Sequence, residues 1–272
     1  MPGEDRLVLF ARRHAKRRHL VLVVSAAIVC GLVLGSSALA KPETVRVGNL
    51  VLTDDGGLSP SKLPRHRQAP VAAKLRARIG TSDGSHPPAV ESVVADFDKT
   101  IRVNARGLPA CRRSQLTARS SVDARRACRG AVVGSGSGEV AVAFPEQRPF
   151  TARGPIVLFN GGVRGKTTLL LIHAYVSVPA PSAVVARVEL SRVNRGRYGL
   201  HTVARIPPIA GGAGSVTAFR LTIDRKFTHR GKRRSYLTAS CPTGRYYAKG
   251  RVRFADGTAL QITHALPCTP KD

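Results

Sequence analysis

Apolar and polar residues alternate with period two along most of the chain beyond residue 70, the signature of half-buried strands. One run breaks the alternation and organises the rest: residues 155–177, PIVLFNGGVRGKTTLLLIHAYVS. Residues 156–160 and 167–177 are rich in Val, Ile, Leu, Phe, Thr and Tyr, which suit a pleated, packed surface. Residues 169–172 are apolar on both parities, which predicts a strand covered on both faces. Gly161, Gly162 and Gly165 supply the positive φ values of a tight reversal, so the stretch reads as a central hairpin.

The neighbouring strands follow from the same pattern. Val71, Ala73, Leu75, Ala77 and Ile79 alternate with Ala72, Lys74, Arg76 and Arg78. Further strands are predicted at 89–98, 139–144, 184–191, 198–206 and 216–228, with a turn at Asn194-Arg195-Gly196. In 216–228, Phe219, Leu221, Ile223 and Phe227 form the inner parity, with Arg220, Thr222, Asp224 and Lys226 outward. His229 to Lys232 turns the chain back into 235–241. The clearest alternation is the last: Tyr246, Ala248, Gly250, Val252 and Phe254 face one way, Arg245, Tyr247, Lys249, Arg251 and Arg253 the other. Ala255-Asp256-Gly257 is a strong hairpin signal. The expected fold is all-β, a Greek-key-like sandwich or barrel of about ten or more strands, with two stacked subdomains as the alternative.

Residues 108–131 interrupt the pattern and predict a small helical insert, with short helices at 110–116 and 121–129. Ser121 caps the second in this reading, with Asp123 in its first turn. Residues 134–138, GSGSG, read as a flexible turn. Residues 41–69 read as a flexible basic and Pro-rich linker: a short strand at 45–53 runs into Asp54-Asp55-Gly56-Gly57 and then SPSKLPRHRQAP. The β domain, 70–270, is expected to begin near Pro70.

The first forty residues change the picture from fold to address. Arg6, Arg12, Arg13, Lys16, Arg17 and Arg18 precede an apolar run at 20–34, and Ala38-Leu39-Ala40 fits signal cleavage before Lys41. The run is short for a membrane span, which needs about 20 residues, and an uncleaved N-terminal anchor is the alternative. Cys111, Cys128, Cys241 and Cys268 remain after cleavage, an even count that predicts two disulfides in an exported chain. Four cysteines allow three pairings, and the strand pattern favours 111–128, clamping the insert, and 241–268, stapling the last hairpin.

The chain carries 44 Lys and Arg against 16 Asp and Glu. From Lys41 onward the counts are 38 and 14, a net charge of +24. Such a surplus favours anionic partners, an envelope polymer or lipid headgroups before nucleic acid, with a membrane contact expected only if the N-terminal segment is uncleaved. GC-rich coding also raises Arg, but does not explain why acids are few.

Several tempting motifs fail. Gly165-Lys166-Thr167 resembles the end of a P-loop, but position 160 is Asn160 rather than glycine and a β-rich run follows where a helix is required. GSGSG places Gly136 where a nucleophile elbow needs serine. Asp96 and Asp98 share one strand face, a pair read as a salt-bridge or turn feature rather than acid–base or calcium chemistry. Among His66, His86, His173, His201, His229 and His264 none has metal-ligand spacing, and His173 reads as a core histidine. No cofactor or metal site is expected. The positive candidate is the outward row Arg245, Tyr247, Lys249, Arg251 and Arg253, with Arg220 and Lys226 extending it if strands 216–228, 234–241 and 245–254 are neighbours. Cations there would meet phosphates or carboxylates and the ring would stack.

The runs GTSDGSHPPAVESVVADFDK, LPACRRSQLTARSSVDARRACRGAVVGSGSG, AFPEQRPFTARGPIVLFNGG, IPPIAGGAGSVTAFRLTI and the terminal FADGTA and LPCTP resemble a family of exported, uncharacterised actinobacterial proteins over most of 70–270. The resemblance implies export, disulfides and a β-rich fold, and carries no activity with it. The resulting expectation is an exported, non-enzymatic protein associating with anionic envelope or extracellular material. The alternative is a secreted hydrolase with a loop-borne site, for which fold analogy suggests carbohydrate as the substrate class.

Overall fold

A computed structural model describes residues 42–177 and 180–272. The leader-like segment 1–40 lies outside the described residues. The described residues form one compact unit, and both disulfides and all the buried apolar clusters described below fall inside it.

Twelve strands build one antiparallel sheet: β1 (Glu43–Val47), β2 (Leu50–Ser59), β3 (Ala72–Thr81), β4 (Val90–Asp98), β5 (Val132–Val142), β6 (Phe150–Arg164), β7 (Thr167–Val176), β8 (Ser182–Arg195), β9 (Tyr198–Arg205), β10 (Gly214–Ile223), β11 (Arg245–Phe254) and β12 (Ala259–Pro267). Their spatial order is β1-β2-β3-β10-β5-β6-β7-β8-β9-β4-β11-β12. β5 to β9 form a meander, while β4 and β10 reach their places by long crossovers, as in Greek-key folds. β1 and β12 come together without a ladder, so the sheet nearly closes into a barrel. On the inner face His264 of β12 reaches across this seam to Asp54 of β2, Nε2 to Oδ1 2.6 Å.

A barrel of about eight strands fills itself with its own side chains; a wider one needs other material inside. Here the connections supply it. Leu237–Ala239 pairs with Ala69–Pro70 on one side and Arg102–Val103 on the other. Leu63, Val71, Ile101, Leu108, Tyr236, Leu237 and Ala239 from these segments meet Ile156, Leu158, Leu170, Val188 and Leu200 from the barrel wall in one buried cluster. Toward the other end Leu50, Leu52, Ile79, Val252, Phe254 and Leu260 close the interior.

The central hairpin is where the pattern placed it, but its turn is Gly165-Lys166 alone: Gly161 and Gly162 lie inside β6, beside a register shift against β7, and of the two only Gly162 has positive φ. Both faces of β7 are covered: Leu170 faces the interior, while Leu171 lies with Val157, Phe159 and Val185 beneath the insert. The insert contains one α-helix, α1 (Ser121–Ala127), with 3-10 turns at Arg113–Gln115 and Arg129–Ala131, so the two expected helices shrink to one. Its N-cap is Ser120, whose Oγ accepts from the Asp123 amide at 3.1 Å; Ser121 is the first helical residue and is buried. Seven residues are too few for a self-supporting helix. Packing of Leu116, Ala124 and Ala131 on Phe159 and Leu171, with the Cys111–Cys128 bridge, holds it to the wall. His173 is fully buried there, as a core histidine, with Nε2 3.0 Å from the Arg119 carbonyl.

Three sequence expectations are corrected. Residues 41–69 are not a linker: β1 and β2 are wall strands, Leu50 and Leu52 are buried, and Leu63 plugs the interior. Gly56, which looked like turn chemistry, pairs with Leu75 inside the β2–β3 ladder. The GSGSG run is not a turn but the middle of β5. Its glycines are needed because a β-carbon at Gly134 or Gly136 would overlap the carbonyl oxygens of Thr222 and Arg220 on β10. Strand 216–228 also ends early, at Ile223; Lys226–His229 instead pairs with Lys232–Ser235 in a separate hairpin through Arg230 and Gly231, both at positive φ.

Candidate functional site

β11 presents its outward row as the alternation requires. Arg245, Lys249, Arg251 and Arg253 are exposed and Tyr247 is half-buried, while Tyr246, Ala248, Val252 and Phe254 point inward. Its neighbours set the electrostatics. The outward residues of β12 opposite the row are neutral: Gln261, Thr263 and Ala265. Those of β4 are Ser92, Val94 and Asp96. Asp96 therefore supplies the one acid beside the row in these two ladders.

Asp96 gathers a cluster from four strands. Its Oδ1 lies 2.7 Å from His201 Nδ1 of β9 and 3.8 Å from Arg195 Nη1 of β8, and its Oδ2 lies 3.3 Å from Lys249 Nζ of β11. The Asp96 side chain is only 7% exposed although it sits on the outer face. Burial alone would push its carboxyl up, but the bonds from His201 and Lys249 and their charges outweigh it and hold its pKa below the ordinary carboxylate value. The aromatic members are engaged as well: Arg197 stacks over the Tyr247 ring at 4.2 Å and Lys249 over the Tyr198 ring at 4.8 Å. Asp98 is a turn residue, accepting from the Thr100 amide at 3.0 Å and its hydroxyl at 2.8 Å, and from the Tyr247 amide at 3.2 Å.

The row does not extend as expected. β10 lies between β3 and β5, so Arg220 faces Arg76 of β3 and not β11. Lys226 belongs to the separate hairpin. The adjacency of 216–228 with 245–254 failed because the intervening segment dives into the barrel mouth as the plug strand Leu237–Ala239 instead of adding a wall strand. Conversely, the sequence reading missed His201, Arg195, Arg197 and Tyr198. His201 and Asp96 are 105 residues apart, and no local spacing announces their meeting.

One arrangement could suggest hydrolysis. Ser191 of β8, His201 and Asp96 stand in register across β8, β9 and β4. Ser191 Oγ, however, bonds with Thr167 Oγ1 at 3.1 Å, and no bond joins it to His201 among the described residues. The row lies on an open wall whose amides are committed to ladders, leaving no donor pair for an oxyanion. The depressions point the same way. One of about 340 Å³ is lined by Val51, Thr53, Arg78, Thr81 and Glu139, and Glu139 is paired with Arg153 at 3.2 Å. Another, of about 130 Å³, is lined by Val90, Ile206, Pro207, Pro208 and Ile209 with the single acid Glu91. Neither brings two catalytic groups together. Among the described residues no three His, Cys, Asp or Glu cluster as metal ligands, and no helix is long and apolar enough to cross a membrane.

Fold and site together define a class: a disulfide-bonded, nearly closed antiparallel β-barrel with a plugged interior and a cationic wall. Both predicted bridges are present, Cys111–Cys128 and Cys241–Cys268, with Cα atoms 5.6 and 6.1 Å apart. The second ties the ends of the β11–β12 hairpin. Two intramolecular disulfides are compatible with an extracytoplasmic protein. No family model, curated protein or solved structure matches the chain.

Proposed function

We propose that this is an exported, non-enzymatic protein that associates with anionic cell-envelope or extracellular material through its exposed cations. The observation that carries the reading is the scarcity of internal partners. Residues 42–272 contain 37 Lys and Arg, and seven of them enter ion pairs among the described residues: Arg65, Arg126, Arg153, Arg187, Arg195, Arg205 and Lys249. Cations spent on fold stability would be paired. The others, Arg225 apart, face solvent, where they repel one another and raise the potential seen by a polyanion. On β11, Arg251 and Arg253 occupy successive outward positions and Arg245 stands further along the same face, none of them in an ion pair among the described residues, and such cations suit phosphates or carboxylates.

The test is binding of residues 37–272 to immobilised inorganic polyphosphate across a salt series. Binding should be present at low salt and fall steeply as salt rises, and replacing Arg245, Lys249, Arg251 and Arg253 by serine should weaken it. Absence of binding at every salt concentration would refute the proposal.

A further inference from the structure

Every strand of the barrel is antiparallel to its neighbours, so the connections sort strictly between two ends. Residues 60–71, 99–131, 165–166, 196–197, 224–244 and 268–272 leave from one end, which is also where β1 begins at Glu43. Residues 48–49, 82–89, 143–149, 177, 180–181, 206–213 and 255–258 leave from the other. The first set carries 21 Lys and Arg against three Asp and Glu; the second carries one against three. Six of those Lys and Arg and one of the acids belong to the insert 108–131, which packs on the outer wall; without it the charge is still polarised along the barrel axis, +13 in the connections of one end and −2 in those of the other. Composition bias from coding would load both ends alike.

The hairpin Lys226–Ser235 concentrates this charge. Lys226, Arg230, Lys232, Arg233 and Arg234 are all exposed, and none is in an ion pair among the described residues. His229 packs onto Gly107, where a β-carbon would overlap its ring, so the hairpin is seated on the plug segment.

We infer that this end docks, barrel axis upright, on an anionic lipid bilayer. Two observations select a bilayer over a thread-like polymer. The cations form a crown around one end instead of a groove along the wall. The opposite end is slightly acidic, which orients the molecule against a charged plane. The inference rests on the proposal that the surplus charge is functional, and adds which end is used and for which partner.

The experiment is co-sedimentation of residues 37–272 with vesicles of equimolar phosphatidylglycerol and phosphatidylcholine, with pure phosphatidylcholine vesicles as control, at about 0.1 M salt. Two variants remove equal charge from different places. One replaces Arg230, Lys232, Arg233 and Arg234 by serine; the other replaces the wall cations Arg46, Arg76, Arg78 and Arg220, which are exposed and outside ion pairs among the described residues. A cation near an anionic surface contributes roughly fivefold to binding, and one more than about 10 Å away is largely screened. The hairpin variant should lose on the order of several hundredfold and the wall variant less than about fivefold. Equal losses would overturn the end-on inference. Binding to polyphosphate without binding to anionic vesicles would overturn the bilayer while leaving the proposed function standing, and binding to neither would overturn both. Circular dichroism of both variants confirms that each is folded.

Discussion

Replacing Asp96 by Asn tests the electrostatic reading of the wall most sharply, because stability and binding should move in opposite directions. Asp96 is the only acid opposite the β11 row in its two ladders, and it holds His201, Lys249 and Arg195. Asn keeps the shape and one acceptor but removes the charge. Losing one partner of a fully buried ion pair costs about 3–5 kcal/mol. These partners are not fully buried: the His201 side chain is 22% exposed, Lys249 49% and Arg195 57%. The two exposed cations return to water with little loss, which leaves mainly the weakened His201 bond, and the expected cost is about 1–2 kcal/mol. For a chain of this size that lowers the melting temperature by about 3–6 °C. The pH dependence follows from the direction of the shift. The folded-state pKa of Asp96 is depressed, so its stabilisation is present above the unfolded value of 3.8 and is lost as pH falls through the folded pKa. The gap between wild type and Asp96→Asn should therefore close in acid. Meanwhile Lys249 and Arg195 are released and the wall gains one net positive charge, so polyphosphate binding should tighten by about two- to fivefold. Thermal unfolding from pH 3 to 7 and the polyphosphate salt series provide both readouts. Weaker binding by a folded variant would refute the argument, since it would make Asp96 part of the binding surface instead of a restraint on it.

Two further outcomes follow from the same structure. The hydrogen bond to Asp54 raises the His264 pKa against the effect of burial, with the Asp54, Glu43 and Asp55 charges adding to it. The seam contact therefore contributes fully below the unfolded value of 6.5 and is lost as pH rises through the raised folded value; His264→Gln should remove this decline, seen as a loss of difference between pH 6 and 9 in urea unfolding. Replacing Cys111 and Cys128 together by serine opens a loop with sequence separation 17, worth about 3 kcal/mol in the chain-entropy model. Proteolysis should then cut within 108–131 while the barrel survives, and simultaneous loss of the barrel would show that the insert is integral to it.

The linear chain carried what depends on near neighbours. Strict alternation from Arg245 to Phe254 is enough to say which side chains face water, because a strand's period is a backbone property that needs no partner. The apolar parities of 169–172 likewise announced a strand covered twice, and the turn at Asp256-Gly257 brought Cys241 and Cys268 together by simple reversal. The same locality misled elsewhere. GSGSG and Asp54-Asp55-Gly56-Gly57 have the composition of turns, yet both lie within wall strands: the β5 glycines make room for carbonyls of a strand some 85 residues away, and Gly56 is held by the ladder to β3. Which strands become neighbours beyond the hairpins was decided by tertiary structure alone. Burying the plug beneath a twelve-strand wall sends β4 and β10 across the barrel, and that placement parts Arg220 from β11 and brings His201 to Asp96. The axial polarity of charge is of the same kind. Each Arg and Lys is visible in the sequence, but only strand direction determines at which end of the barrel its loop emerges.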